Sequence, residues 1–326
     1  MRATAVLRIR SDGRERAGKA TVATLLSILL VLVAGQARAE ELSDIAGAFA
    51  DVGIGADAMG MGGAVVASGN GAGALFWNPA GLAGTDHERE VTLSYCDQLG
   101  LVPYSAGAGS FRLGGYSVGV GLLYSGDDVL SETTLLVGAA RELTVPWLGG
   151  TRVDVGATLK SRWASFGNNV SDGEQVTGSA LGVGVDVGVV APLNETTTLG
   201  LTCRDMLNVL NWDSSVSGSY GENVPPALVA GVAMRPSSAL LMEIDLDKSL
   251  SSDTDDLVRA GLELELFEVA SLRGGYRVAL PDGEAEEFSL GAGASVETGG
   301  KTVTLDLGYL FGPLENTLRL TLGVGL

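Results

Sequence analysis

Residues 317–326, Thr-Leu-Arg-Leu-Thr-Leu-Gly-Val-Gly-Leu, alternate an apolar side chain with a polar or small one at every step. Successive side chains of a β-strand point to opposite faces, so one face of such a strand meets an apolar medium and the other a polar one. Residues 303–311 repeat the pattern, and residues 181–189 carry Leu or Val at every odd position. The alternation predicts strands that separate hydrocarbon from water.

Fourteen segments of this kind follow one another after residue 90. The predicted strands span 91–98, 105–112, 115–124, 133–143, 151–163, 179–191, 196–205, 227–234, 238–248, 256–266, 269–277, 286–298, 301–311 and 316–326. An even number of antiparallel strands closes into a barrel, and closure leaves no unpaired strand edge in lipid. We therefore expect an all-β fold, with a 14-stranded antiparallel transmembrane β-barrel over residues 91–326.

The predicted connections alternate in length along the chain. Those after odd-numbered strands include the two longest, 164–178 and 206–226, whereas most of those after even-numbered strands are short turns such as 113–114 and 299–300. Outer-membrane barrels have long loops outside the cell and short turns in the periplasm, so both chain ends are expected in the periplasm. Aromatic residues near the segment ends are typical of interfacial girdles: Tyr95, Tyr116, Tyr124, Trp163, Phe267, Tyr276, Phe288, Tyr309 and Phe311.

The soluble alternatives are a β-sandwich and a β-solenoid. A sandwich gives no reason for alternating connection lengths, and a solenoid needs a fixed repeat, which the sequence lacks. The chain is 46% hydrophobic with 48 glycines and a mean hydropathy of +0.28, yet no run of 18 apolar residues follows residue 39. This composition favours a large barrel, in which small residues can face the lumen.

Residues 1–39 are predicted to be a signal peptide. Six basic residues precede a short apolar core at residues 21–34, and Ala37-Arg38-Ala39 supplies the small residues that a signal peptidase reads. The core is too short to span a bilayer as a helix, although a retained membrane anchor is the alternative. We expect export, cleavage after Ala39, and location in the cell outer membrane of a Gram-negative-type bacterium.

The charge of the chain excludes some partners and some chemistry. Removing the signal peptide takes away seven basic and two acidic residues and leaves 14 basic and 37 acidic residues. Nucleic acid binding needs a basic surface, so we expect no nucleic acid partner. His87 is the only histidine, which leaves no histidine–cysteine cluster for a metal. Cys96 is expected in the lumen and Cys203 at the lipid face, both as free thiols.

Ionisable residues occupy many predicted inward positions. A general acid–base site could be assembled from almost any two of them, so their presence singles out no site. We therefore expect no catalytic residues, no cofactor and no enzyme activity. Mutual pairing in a hydrated lumen is the expected role. The residues are Asp154, Lys160, Arg162, Asp186, Arg204, Glu243, Asp245, Asp247, Arg259, Glu263, Glu265, Arg273, Arg277, Asp306 and Arg319.

Residues 40–90 do not alternate and are rich in glycine. They include Ala58-Met-Gly-Met-Gly-Gly-Ala-Val-Val-Ala67 and Ala74-Leu-Phe-Trp-Asn-Pro-Ala-Gly-Leu-Ala83. An apolar stretch of this length is unsuited to a solvated linker, whereas inside a barrel its apolar and backbone polar groups would both find partners. We expect a plug, or hatch, within the lumen.

These two runs resemble the N-terminus of the PorV/PorQ family, relatives of the FadL-type long-chain fatty-acid transporters. The match covers about thirty residues, and its shared element corresponds to Trp77, Asn78, Pro79, Ala80 and Gly81. The resemblance implies a 14-stranded barrel with an N-terminal hatch. It also implies one of two roles, passage of hydrophobic compounds or service in type IX protein secretion.

Two further groups of residues are predicted to serve transport and cargo binding, respectively. Gly114, Gly115, Gly119 and Gly121 on the third predicted strand could loosen the wall for lateral exit of a ligand. Trp163, Phe166, Trp212 and Tyr220, in or beside the two longest loops, are the candidate contact surface for a secreted protein.

Three functions follow as hypotheses. The first is transport of hydrophobic, long-chain fatty-acid-like molecules across the outer membrane, with membrane lipid and the small molecule as partners. The second is a secretion-associated barrel that binds cargo proteins. The third, a lipid-modifying enzyme, has no support in the sequence. We favour transport, because type IX secretion is confined to fewer lineages.

Overall fold

The computed structural model describes Phe49 and residues 53–85, 87–98, 100, 102–127, 129–146, 149–171, 174–251, 254–267, 269–280, 286–312 and 316–326. The predicted signal peptide, its cleavage site after Ala39 and residues 40–48 of the predicted hatch lie outside this part of the chain. Helices in the described residues are α1 (Ala56–Gly60) and the 3₁₀-helices η1 (Ala72–Phe76) and η2 (Pro79–Gly84).

The rest of the described chain is almost entirely β-structure. Its strands are β1 (Arg89–Gln98), β2 (Val102–Leu113), β3 (Tyr116–Gly126), β4 (Leu130–Val145), β5 (Thr151–Ser171), β6 (Glu174–Pro192), β7 (Thr197–Ser214), β8 (Gly218–Glu222), β9 (Ala227–Ser237), β10 (Leu240–Ser249), β11 (Asp256–Leu266), β12 (Ala270–Leu280), β13 (Glu287–Thr298), β14 (Lys301–Phe311) and β15 (Thr317–Gly325).

Every strand of this set except β8 belongs to one closed antiparallel ring. Each pairs with its neighbour along the chain, β7 pairs with both β6 and β9, and β1 pairs with β15 to close the ring. In the described residues the ring therefore has 14 strands, and the predicted fold is confirmed. Closure satisfies the backbone hydrogen-bonding groups of every ring strand without an open edge.

The two ends of the barrel differ. At one end, called the turn end, β2 joins β3 and β13 joins β14 through two residues each, and Arg89 exchanges backbone hydrogen bonds with Leu326. Gly299 and Gly300 have φ values of 58° and 72°, and a two-residue hairpin turn of the type I′ needs positive φ at both positions. At the opposite end, called the extension end, β5 to β8 continue beyond the other strands.

The strands at the extension end are longer than predicted. Of residues 164–178, predicted as a loop, 164–171 and 174–178 form the parts of β5 and β6 at the extension end, which pair up to Ser171 and Glu174. Residues 206–226 contain the end of β7 and the additional strand β8, which pairs only with β7. The inner faces of these strands are apolar and pack around Trp212, so the alternation of apolar and polar residues that marked the other strands is lost there.

Large apolar side chains cover the outer surface of the ring. Leu93, Leu322 and Leu305 are register partners on β1, β15 and β14, and each is between 43% and 55% exposed. Aromatic residues lie near both ends of this surface. Tyr95, Tyr124, Trp163, Tyr276, Phe288, Tyr309 and Phe311 lie toward the extension end, and Phe111, Tyr116 and Phe267 lie toward the turn end.

The inner face of the ring is polar, and many of its charges form ion pairs, as predicted. Arg273 forms ion pairs with Glu263 at 2.6 Å and with Asp306 at 2.7 Å. Both cysteines are free thiols. Cys96 lies in the lumen, where Arg319 Nη2 donates to its Sγ at 3.0 Å. Cys203 is buried by its neighbours, but its register partners Val187 and Leu228 alternate with inward residues, so it lies on the outer face, as predicted.

Candidate functional site

Residues 53–85, here called the inner segment, run across the interior of the barrel. α1 contacts β12, β13, β14 and β15, whereas η1 and η2 together contact β1–β6. Most of its side chains are buried, including those of Leu75 and Leu82, which are fully buried. The inner segment makes no strand pairing with the wall, so side chains and close packing hold it in place.

Glycines on the inner face of the barrel make room for the inner segment. A Cβ at Gly156 would lie 2.4 Å from the carbonyl of Pro79, and one at Gly188 would lie 1.9 Å from Asn78 Oδ1. A Cβ would also come too close to the inner segment at five other glycines: Gly138 against Leu75, Gly200 against Val66, Gly261 against Met61, Gly275 against Gly62, and Gly308 against Ala56. At these positions glycine has a specific cause, which is the close approach of the inner segment to the wall.

Asn78, at the centre of the predicted hatch motif, is bonded on both sides of its amide. Its Nδ2 donates to the carbonyl of Val66 at 2.8 Å and to the carbonyl of Val189 on β6 at 3.3 Å. Its Oδ1 accepts the backbone N–H of Ala80 at 3.1 Å, which caps η2. The Asn78 side chain therefore links separate parts of the inner segment to each other and to β6 of the wall.

The neighbours of Asn78 in the motif are also buried. Trp77 Nε1 donates to the carbonyl of Ile54 at 2.8 Å, and a Cβ at Gly53 would meet the Trp77 ring at 2.7 Å. Pro79 occupies the first position of η2, where a missing N–H costs no hydrogen bond. Gly81 lies against the carbonyl of Gly69. The motif residues thus form the junction between the two halves of the inner segment.

Two carboxyl groups of β10 bind the middle of the inner segment. Asp245 Oδ2 accepts the backbone N–H groups of Val65 at 3.0 Å and Val66 at 3.1 Å. Glu243 Oε1 accepts the next one, from Ala67, at 2.6 Å. Both side chains are at most 1% exposed. Sequence reasoning assigned these residues to mutual charge pairing and missed this role; the signal was three inward acids in succession, at 243, 245 and 247.

The α1 half of the inner segment is bound by other strands. Thr321 Oγ1 on β15 accepts the N–H of Ala56 at 2.8 Å, and Ser289 Oγ on β13 donates to the carbonyl of Gly60 at 3.2 Å. Arg319 donates to the carbonyl of Gly53. Isolated side-chain bonds of this kind can break one at a time, unlike the ladder bonds of the wall.

The inner segment lies between two cavities. The extension-end cavity has a volume of about 400 Å³, and the turn-end cavity has a volume of about 230 Å³. The first is lined by residues near the extension end, such as Tyr104 and Ser249, and the second by residues near the turn end, such as Glu90 and Gly323. Ile54 lines both cavities, so the inner segment is the partition between them.

The extension-end cavity combines apolar walls with charged groups. Phe76, Leu123 and Val224 are among its apolar lining residues. Most of its basic groups are held in ion pairs: Lys160 with Asp186 at 2.8 Å and Asp205 at 3.1 Å, Arg162 with Asp205 at 2.7 Å, and Arg204 and Arg259 with Asp247. Such a lining fits a molecule that has an apolar body and a polar end.

The glycines singled out on the third strand fall into two places. Gly114 and Gly115 form the turn between β2 and β3, with open space around them. Gly119 and Gly121 face inward, where a Cβ would meet Leu75 and Phe76. β3 is paired continuously with β2 and β4 from residue 117 to residue 125. Packing against the inner segment explains these inward glycines; lateral opening at this strand stays a prediction.

The four aromatic residues of the predicted partner loops lie on strands. Trp163 is on the outer surface of β5, and Phe166 follows it on the same strand. Trp212 on β7 is buried between Phe166, at 5.7 Å between ring centroids, and Tyr220 on β8, at 6.4 Å. Its Nε1 donates to Glu222 Oε2 at 2.7 Å. The structure brings three of the four together, as the core of the extension.

The part of the chain that the structure describes contains no group of three or more His, Cys, Asp or Glu side chains placed to bind a metal ion. It also contains no helix of the length and apolar character that a membrane span requires.

Solved structures with the same fold include a hydrocarbon channel and a toluene transporter. The monoaromatic hydrocarbon channel CymD has a TM-score of 0.60 and 17% identity, with 85% of this chain and 97% of that chain covered. The Ralstonia pickettii toluene transporter TbuX has a TM-score of 0.54 and 13% identity, with coverage of 81% and 96%. A FadL homologue of Pseudomonas aeruginosa has a TM-score of 0.59 and 10% identity, with coverage of 82% and 97%.

The sequence matches no protein-family model and no curated protein. The PorV/PorQ resemblance therefore rests on the motif alone. At the level of the fold, the chain is a closed 14-stranded barrel similar to that of the FadL homologue.

Proposed function

We propose that this protein is an outer-membrane channel for hydrophobic small molecules, with the inner segment as its hatch. The observation that carries the proposal is the position of the inner segment, which separates two cavities and is bound to the wall by single side-chain hydrogen bonds. A wall of paired strands with an apolar outer face fits a lipid bilayer. A partition that can be released fits passage between the two cavities.

The chemistry of the extension-end cavity supports an amphipathic or apolar substrate. Its apolar walls would bury a hydrocarbon body, and its paired charges offer hydrogen-bonding groups to a polar end. A long-chain fatty-acid-like compound has both features. The related folds include channels named for monoaromatic hydrocarbons and toluene, and smaller apolar molecules are therefore part of the same proposal.

A disulfide between hatch and wall tests the proposal. The N–H of Ala56 is 2.8 Å from Thr321 Oγ1, so cysteines at these two positions are adjacent. Ala56→Cys and Thr321→Cys are combined in a chain whose own Cys96 and Cys203 are replaced by Ala. In proteoliposomes, we expect oxidation to block uptake of radiolabelled oleate and toluene, and dithiothreitol to restore it.

The two single-cysteine variants under the same oxidation are the matched controls, and their uptake should not change. Unchanged uptake through the oxidised double variant would show that the inner segment does not gate the channel. Absence of uptake of either compound by the wild-type protein, at rates above protein-free vesicles, would contradict the channel itself.

A second candidate function is a secretion-associated barrel that binds cargo proteins. Besides the PorV/PorQ resemblance, it is favoured by the outer edge of β8, which pairs with no strand other than β7 in the described residues, because an exposed strand edge can pair with another chain. Tyr220 on β8 and Trp163 on β5 are exposed apolar side chains of the same extension-end region. Affinity purification from the native membrane tests this: recovery of secreted proteins, lost on Gly221→Pro in β8, is expected if the function is cargo binding.

A further inference from the structure

A small recess adjoins the extension-end cavity beside the inner segment. Its volume is about 40 Å³, and Gly53, Arg259 and Arg277 line both the recess and the cavity. A buried water needs about 10–15 Å³, so the recess has room for about three non-hydrogen atoms. A carboxylate group has that size.

Guanidinium groups dominate the polar lining of this space, here called the arginine recess. Arg259 on β11, Arg277 on β12 and Arg319 on β15 line it together with one acidic residue, Glu287. Arg277 pairs with Glu287 at 2.5 Å, and Arg259 pairs with Asp247 at 2.8 Å. A guanidinium has five N–H donors and can bind a second acceptor beside its first. An anion in the arginine recess would therefore meet three cationic side chains.

The extension-end cavity supplies the apolar counterpart of the recess. Phe76, Leu123 and Leu257 are among its lining residues. A buried carboxylate is stable only where charged partners and hydrogen bonds replace its water, and the arginine recess offers both in a chain whose formal net charge is −18. The two spaces together fit a molecule with an apolar body and an anionic end.

Arg319 connects the arginine recess to the inner segment. It is 2% exposed. Its Nη1 donates to the carbonyl of Gly53, the first residue of the inner segment, and its Nη2 donates to Cys96 Sγ at 3.0 Å. A carboxylate is a stronger acceptor for a guanidinium than a neutral backbone carbonyl is. An anion in the recess therefore competes with Gly53 for Arg319.

We infer that the arginine recess binds the carboxylate of an amphipathic substrate, and that this carboxylate takes Arg319 from Gly53 and so releases the N-terminal side of the hatch. The inference rests on the proposed function, in which the inner segment is the hatch, and it names an amphipathic carboxylate as the substrate class. A neutral molecule with the same hydrocarbon chain would fill the extension-end cavity but leave Arg319 bound to Gly53.

Oleate and oleyl alcohol test the binding step, because they share one chain and differ in the end group. Their affinities for the full-length protein in nonionic detergent are compared by competition against radiolabelled oleate. We expect oleate to bind about tenfold more tightly or better, since a hydrogen bond to a charged group is worth at least about that factor. Arg277→Gln should remove most of the preference. Arg235→Gln, which breaks an ion pair with Glu265 at the turn-end cavity, is the matched control and should keep it.

Thiol labelling tests the release step without any transport assay. Ala56→Cys, at a fully buried position of the inner segment, is placed in a chain with Cys203→Ala and with Cys96→Ser, which keeps an acceptor for Arg319. Val216→Cys, at a position that is 71% exposed, reports any direct effect of the ligand on maleimide labelling. We expect saturating oleate to raise the ratio of the two rates by about tenfold, the worth of one charged hydrogen bond. Saturating oleyl alcohol should leave the ratio unchanged, and Arg319→Gln should make it insensitive to oleate.

Equal affinities for oleate and oleyl alcohol would overturn the carboxylate site. An oleate-saturated protein in which the thiol of Ala56→Cys stays protected would overturn the release step. If Arg319→Gln does not fold, the comparison of oleate with oleyl alcohol in the chain that retains Arg319 decides alone. Uptake in proteoliposomes separates this inference from the proposed function. Equal affinities with normal uptake overturn the site and leave the channel, whereas oleate-selective binding and labelling without uptake of oleate or toluene support the site and overturn the channel.

Discussion

Single atoms on the inner face of the barrel decide whether the inner segment fits. Gly188 and Gly274 are both strand glycines, but a Cβ at Gly188 would collide with Asn78, whereas one at Gly274 would meet no atom within 4 Å. The difference between the two positions is therefore a difference in contact with the inner segment, since both lie on paired strands.

The first prediction compares alanine at these two glycines. Gly188→Ala should lower the free energy of unfolding by about 1–3 kcal/mol, the usual cost of excess volume in a packed interior. Gly274→Ala should leave it unchanged or raise it slightly. Urea titration of the refolded barrel in lipid vesicles measures both. An equal effect of the two substitutions would mean that the inner segment does not pack against β6.

The second prediction concerns the amide of Asn78. Asn78→Asp preserves size and the acceptor for the Ala80 N–H, but it places a carboxylate beside the carbonyl groups of Val66 and Val189. We expect a loss of about 3–5 kcal/mol, as for other buried charges left without a partner. Asn78→Ala should cost less, about 1–3 kcal/mol, because it leaves the carbonyl groups unpaired but adds no charge.

The same urea titration measures both Asn78 variants, and Asn211→Asp, on an exposed side chain of β7, is the control for the added charge. If Asn78→Asp were as stable as the wild-type protein, the side chain would not be buried in the described hydrogen bonds.

Among the elements, the extension formed by the ends of β5, β6 and β7 with β8 has a core of its own. Trp212 packs with Ala164, Ala180, Leu210 and Val224 in one buried cluster. Phe166 lies against the same cluster. The extension is thus stabilised by packing in addition to its ladder bonds, although it stands beyond the region covered by the other strands.

The third prediction follows from this cluster. Trp212→Ala should remove several contacts and the hydrogen bond to Glu222, and truncation of a buried tryptophan costs about 3–5 kcal/mol. Because β8 pairs only with β7, we expect this loss to appear as faster amide hydrogen exchange in residues 218–222. Exchange in β13, on the opposite wall, should not change. Tyr220→Ala, at a partly exposed side chain, should have a smaller effect.

The sequence predicts the ring strands but not the extension, and the difference has a physical reason. The ring strands were predictable because each lies between two media, as in β15, where burial alternates at every residue. The extension was not predictable, because Phe166 and Trp212 pack on each other beyond the other strands. No apolar medium on one face imposes an alternation of apolar and polar residues there. The role of Glu243 was also hidden, since its partners are backbone groups 176 positions away. The motif around Asn78 was recognisable because it is contiguous.

At the scale of the whole molecule, an apolar band surrounds the barrel between two sets of aromatic residues. On β3 the band extends from Tyr116 to Tyr124, and eight steps of about 3.4 Å correspond to about 27 Å along the strand. A tilted strand of this length fits the apolar band of outer-membrane barrels, which is about 25 Å tall. The height of a charged substitution within the band should therefore determine how much it destabilises the barrel.

The fourth prediction places the same charge at two heights. Leu322 is level with Leu93 and Leu305 in the middle of the band, whereas Leu113 is beside the turn between β2 and β3; both are exposed on the outer face. Leu322→Arg should destabilise the barrel in lipid vesicles by about 2–4 kcal/mol, and Leu113→Arg by about 0–1 kcal/mol. In detergent micelles, which adapt to the charge, the gap should narrow. Equal costs in vesicles would show that the outer face is not immersed in a bilayer at these heights, and the proposed location would have to be abandoned even though the ring itself remained closed.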